Sequence, residues 1–147
     1  LWNAVVPAEL PEDAYSGYLT QHGYASSTAV TDGERVYVFF GKTGALAFDF
    51  EGKQLWKVNL GKQSSNRRWG SGASPVLYKN TVIVNAAEEG RAVFALDKRT
   101  GKEIWRTPRD EKSNWSTPFV WQNAQRTEIV TPGTGAKSCT TCGPTTR

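Results

Sequence analysis

The chain has 147 residues, with 12% aromatics, six Trp, no Met, 14 Gly, seven Pro and a formal net charge of +4. That length permits one domain with a sizeable core, and the aromatic content suits pleated, β-rich packing. Lys and Arg scatter over turn segments, with Asn66-Arg67-Arg68-Trp69 the only dense spot, so the basic stripe of a nucleic-acid surface is missing. No run approaches the roughly 20 apolar residues of a membrane helix.

The chain opens at Leu1-Trp2, which echoes the end of a repeat. Residues 1–19 are therefore expected to end a preceding unit and connect onward, with any targeting signal lying upstream. Within that stretch, residues 8–19 could form a short helical turn. Residues 26–31 and 35–40 flank Asp32-Gly33, a strong hairpin signal because both residues tolerate positive φ. Gly41 to Gly44 turns again, residues 45–50 alternate as a third strand, and 53–58 form a fourth carrying Leu55, Trp56 and Val58. Four short antiparallel strands of this size make one propeller blade, spanning residues 20–60.

The second unit, 61–107, repeats the order with strands at 74–78, 81–86, 92–97 and 103–107. The nearly continuous apolar run Thr81-Val82-Ile83-Val84-Asn85-Ala86 implies burial on both faces. A third unit, 108–131, has strands only at 117–121 and 127–131. Residues 132–147 carry no large apolar side chain and are expected to be an irregular tail without a buried strand. A shifted reading frame is the expectation there. Cys-Thr-Thr-Cys-Gly-Pro-Thr-Thr can be encoded so that a neighbouring frame restores an Asp where the repeat wants one. A natural flexible terminus is the alternative.

The repeat is carried by two segments. Ala95-Leu96-Asp97-Lys98-Arg99-Thr100-Gly101-Lys102-Glu103-Ile104-Trp105 has a shortened copy in Ala47-Phe48-Asp49-Phe50-Glu51-Gly52-Lys53-Gln54-Leu55-Trp56, and Trp2, Trp56 and Trp105 are spaced by 54 and 49 residues. Such a period marks a repeat architecture whose units need neighbours to bury their faces. The Asp can accept hydrogen bonds from the turn that follows, Gly101 can supply positive φ, and the Trp buries a large ring whose N–H needs an acceptor.

These segments resemble the pyrroloquinoline-quinone (PQQ)-type β-propeller repeat, whose tryptophan-docking motif is Ala-x-Asp-x-x-Thr-Gly-Lys-x-x-Trp. Ala95, Asp97, Thr100, Gly101, Lys102 and Trp105 match every fixed position, whereas Ala47, Asp49, Gly52, Lys53 and Trp56 match a copy one residue shorter and without the Thr. The resemblance extends over about residues 20–131, including the Ser74-Pro75 and Thr117-Pro118 strand starts. Wider similarity is to bacterial secreted propellers related to an outer-membrane assembly lipoprotein. It implies an all-β, partial propeller of four-stranded antiparallel blades: one terminal strand, two full blades and half a third. It also implies that Trp56 and Trp105 lie against the neighbouring blade near its motif Gly. Ordinary core packing within one blade is the alternative for both rings.

Catalytic readings are weaker. A quinone-dependent dehydrogenase of this fold needs PQQ, Ca²⁺ held by hard oxygen ligands and a carboxylate base. The family's alcohol dehydrogenases also carry a disulfide between adjacent cysteines. Cys139 and Cys142 are not adjacent, Asp49 and Asp97 are accounted for by their turns, and Glu88-Glu89 read as a solvated turn. The two cysteines make half a zinc site, which wants four ligands, and the lone His22 is over a hundred residues away. His22 has no triad partner and reads as a residue of the propeller mouth. Tyr24, Trp69 and Trp115 occupy connector positions before first strands, where they could line a peptide or glycan surface or, preferably, act as packing plugs. The expected function is a non-enzymatic scaffold or protein-interaction platform, periplasmic or extracellular, completed by a protein partner or further blades, with no cofactor, metal or nucleic acid. A PQQ-dependent dehydrogenase fragment and a glycan- or peptide-binding propeller are the alternatives.

Overall fold

The computed structural model describes residues 1–9, 26–64, 66–110 and 113–133, together with the strand at 139–142. Tyr24, His22 and most of the helical turn expected at 8–19 lie outside the described residues. The first sheet runs β1 (Val30–Thr31), β2 (Val36–Phe39), β3 (Ala45–Phe48) and β4 (Gln54–Val58), each strand antiparallel to the next. A 3₁₀ turn at Gly41–Thr43 joins β2 to β3. The second sheet repeats this order with β5 (Val76–Tyr78), β6 (Thr81–Ala86), β7 (Ala92–Asp97) and β8 (Glu103–Pro108).

The third sheet joins β9 (Phe119–Gln122), β10 (Thr127–Pro132) and β11 (Cys139–Cys142). β11 pairs antiparallel with β10, Ile129 opposite Cys142 and Pro132 opposite Cys139. Within the stretch 132–147, expected to be an irregular tail, the structure describes this one paired strand. A ladder is made by backbone N–H and C=O groups, so a strand can form without the large apolar side chains that signal one in a sequence.

Two apolar layers lie between the sheets. Tyr37, Phe39, Ala45, Ala47 and Trp56 of the first sheet pack on Val82, Val84, Ala92, Phe94 and Leu96 of the second. From the opposite face of the second sheet, Ile83, Val93 and Ala95 pack on Ile129, with Trp105 and Val120 against the same cluster. The apolar run of β6 follows from this position, since alternate residues enter opposite layers.

The strand starts are also linked. The Thr28 N–H donates to Ser74 Oγ at 2.9 Å, and the Ser74 N–H donates to Thr117 Oγ1 at 3.0 Å. Each of the first two sheets thus satisfies an entry amide with the hydroxyl of its successor. A proline follows Ser74 and Thr117, which pre-sets an extended backbone at each hydroxyl position.

Candidate functional site

The repeat motif folds into two equivalent corners. At the second, Asp97 Oδ1 accepts from the Arg99 N–H at 3.0 Å, the Thr100 N–H at 2.8 Å and the Thr100 hydroxyl at 2.8 Å. The Thr100 hydroxyl and backbone bonds hold the Asp97 pKa below the ordinary carboxylate value. At the first corner, which lacks the Thr, Asp49 Oδ1 accepts from the Glu51 N–H at 3.1 Å and the Lys53 N–H at 2.8 Å. Lys53 and Lys102 enter through the backbone: their carbonyls accept from the Asp49 and Asp97 N–H groups, while the side chains stay exposed.

The Trp positions follow from a register slip. Ala47 faces Trp56 and Phe48 faces Gln54, so Leu55 is an extra residue on β4; in the same way Ala95 faces Trp105, Leu96 faces Glu103 and Ile104 is extra on β8. Each bulge turns the aliphatic residue outward, 40% exposed at Leu55 and 52% at Ile104, and aims the Trp inward. Ala47 and Ala95 are fully buried, since only a small residue fits opposite the indole.

The Trp56 Nε1–H donates to the Lys98 carbonyl at 3.1 Å. Its ring lies on Gly101, where a Cβ would come within 2.8 Å of Trp56 Cδ2. Gly101 has φ +73°, which L side chains resist. The same arrangement occurs one unit earlier: a Cβ on Gly52 would meet Trp2 Cδ2 at 2.8 Å, and Trp2 stands 5.8 Å from Phe48. Trp105 packs against the Ile83–Ile129 cluster. The turn that would follow β11 and carry its glycine lies outside the described residues.

Lys98 has a second role that its sequence position does not announce. Its Nζ stands 3.0 Å from Asp32 Oδ2, which also accepts the Tyr37 hydroxyl at 3.0 Å, while Asp32 Oδ1 accepts the Glu34 and Arg35 amides. Burial raises the Asp32 pKa, but Lys98, the two amides and the Tyr37 hydroxyl outweigh it and hold the carboxyl far below its usual range. Burial and the Asp32 charge push the Tyr37 hydroxyl up to about 12. Asp32 was legible only as a hairpin residue; nothing local ties it to a lysine 66 positions later.

A third cluster forms where the connectors gather. Trp69 and Trp115 stack with centroids 5.1 Å apart and planes at 25°, and the Trp115 Nε1–H donates to the Gly70 carbonyl at 2.9 Å. The Arg67 guanidinium carbon lies 5.5 Å from the Trp69 ring centre. Nearby in sequence, the Asn85 amide donates to Asn114 Oδ1 at 3.1 Å and to the Ser116 carbonyl at 2.9 Å, and Arg109 bonds Thr131.

Glu88 and Glu89 are not the solvated pair expected. They are 7% and 2% exposed, because the connector after β4 lies over their turn and the Gln63 N–H donates to the Glu89 carbonyl at 3.0 Å. Among the described residues no three or more His, Cys, Asp or Glu side chains group as metal ligands. No helix among them is long and apolar enough to cross a membrane.

Antiparallel sheets stacked face to face, with connectors gathering beyond their fourth strands, define this as a segment of a β-propeller. The family model described as outer membrane protein assembly factor BamB matches residues 1–137, and the chain belongs to that family of PQQ-like propellers. The crystal structure of BamB from Moraxella catarrhalis matches with a TM-score of 0.54 at 19% identity, over 71% of this chain and 34% of that one. The likeness is one of fold, and the chain spans about a third of that protein's resolved length. No curated protein sequence matches it.

Proposed function

We propose that the chain is part of a non-enzymatic propeller that serves as a scaffold or protein-interaction platform in an extracytoplasmic bacterial protein. One observation carries this reading: the carboxylates of the repeat motif and the Trp56 N–H are spent on architecture. The Asp49 and Asp97 carboxylates serve their own turns, and the Trp56 N–H serves the next sheet's backbone. The family's printed description, an assembly factor of the outer membrane, agrees with a binding role and an envelope location.

The quinone alternative fits these residues poorly. Ca²⁺ wants a set of hard oxygen ligands, and the described carboxylates are distributed among turns and ion pairs rather than gathered. The cysteines stand at opposite ends of β11 with two residues between them. The test has two arms. Photo-crosslinkers placed on the connector residues in the native host should give discrete protein adducts. Reconstitution with PQQ and Ca²⁺ should give neither stoichiometric quinone binding nor dye-linked alcohol oxidation; binding with turnover would overturn the platform reading.

A further inference from the structure

We propose that two copies of the chain join head to tail into one closed propeller, residues 1–9 of each copy supplying a fourth strand to the third sheet of the other. Matching rows of residues carry this inference. Val30, Tyr37, Ala47 and Trp56 stand side by side across the first sheet. Val76, Ile83, Ala95 and Trp105 do so across the second. Phe119, Val130 and Thr141 continue the pattern in the third, where among the described residues no indole follows Thr141. There β11 pairs with β10 alone, so its other edge presents backbone groups to a further strand. Residues 1–9 are the converse. They belong to no sheet, yet Trp2 holds the place on Gly52 that Trp56 holds on Gly101. What the third sheet lacks, the first sheet has beside it.

The faces match as well. The first row packs on Val82 and Val84, and the second on Ile129 and Val120. In the third row Phe119 is 52% exposed and Val130 is half-buried. Its counterpart is Val36 and Val38, which flank Tyr37 as Val82 and Val84 flank Ile83. Val82 and Val84 are 1% and 0% exposed, whereas Val36 and Val38 are only half-buried. The hydroxyl ladder closes on the same joint. The Thr28 N–H donates to Ser74 and the Ser74 N–H to Thr117. Thr28 is exposed and stands two residues before its row, as Ser74 and Thr117 do, so its hydroxyl is placed to accept the Thr117 N–H of the second copy. Blade number selects the stoichiometry. Closed propellers have roughly four to eight blades, and one copy brings three sheets. Two copies fall within that range and three exceed it. The two joints of such a ring are identical, which makes it a closed dimer.

Sedimentation equilibrium of the 147-residue chain should give a mass that rises with concentration and levels off at twice 16.2 kDa. In the expected pairing Trp2 faces Thr141 and Ala4 faces Cys139, as Trp56 faces Ala47 and Val58 faces Ala45. Ala4→Cys in a Cys142→Ser background should therefore give a disulfide-linked dimer on mild oxidation, since only close, facing cysteines bridge. Its yield should exceed that of Glu34→Cys in the same background at least about fivefold, and adding Cys139→Ser should abolish it. Thr28→Val removes one hydroxyl acceptor from each of two joints and should weaken dimerisation about tenfold, with circular dichroism confirming that the variant folds. A mass that stays at one chain or grows past two overturns the proposal, as does equal crosslinking from Glu34→Cys or unchanged dimerisation of Thr28→Val. In the native host, an Ala4→Cys adduct formed within one longer polypeptide would give the β11 edge to further repeats and overturn it too. The platform reading stands or falls separately, on its own crosslinking and quinone arms.

Discussion

Asp32 ties its own turn to the second sheet, and its charge is the condition for the pair with Lys98. Lys98, Tyr37 and two backbone amides converge on its two oxygens. Because its folded pKa is depressed, the stability it contributes is fully present above the ordinary Asp value of about 3.9 and is lost as pH falls through the folded value. Hydrogen bonds to charged groups are worth roughly 1.5–3 kcal/mol. Asp32→Asn keeps the turn acceptor but loses the pair with Lys98. It should therefore cost about 2 kcal/mol at pH 7, with the gap to the parent narrowing as pH drops below about 4. Urea unfolding at pH 7, 5 and 3 measures this. A gap independent of pH would mean that the charge is not what holds the turn to the second sheet.

The unit of construction is the corner between the third and fourth strands, where turn, bulge and indole act together. Gly101 and Gly33 separate two contributions, since both have positive φ but only Gly101 lies under a ring; a Cβ on Gly33 would meet nothing within 4 Å. Gly33→Ala should cost the backbone term alone, about 1–2 kcal/mol. Gly101→Ala adds overpacking against Trp56 and should cost about 2–4 kcal/mol in total. Equal costs in chemical denaturation would show that the ring does not rest there. The strands of the first two units were legible because turn chemistry and alternation are local signals, and residues 30–31, 36–39, 45–48 and 54–58 fall inside the predicted segments. β11 was not, because backbone pairing leaves no side-chain pattern. The burial of Glu88 and Glu89 was hidden for a related reason: composition suggests exposure, but a connector from the preceding unit covers the turn. The Asp32–Lys98 contact joins two units, and no periodicity within either one encodes it.

At the scale of the whole molecule, the first strand of the third sheet presents exposed apolar side chains. Phe119 and Trp121 sit at alternate positions of β9, hence on one face, and are 52% and 42% exposed. Contiguous exposed apolar surface favours association, and Phe119→Lys should reduce concentration-dependent self-association in sedimentation while leaving the melting temperature within about 2 °C, as surface changes usually do. Unchanged association would place the joining surface elsewhere. The docking of each indole also has a direction in time. Trp2 rests on Gly52 and Trp56 on Gly101, so every ring waits for a glycine 50 or 45 residues further along the chain. At a synthesis rate of roughly 5–20 residues per second, that delay is about 2–10 s. A nascent sheet therefore leaves the ribosome with its indole undocked and is completed only by the corner of its successor. Synthesis adds the parts in the order in which they lock, and a ribosome stalled before Gly101 holds a chain whose Trp56 has nowhere to rest.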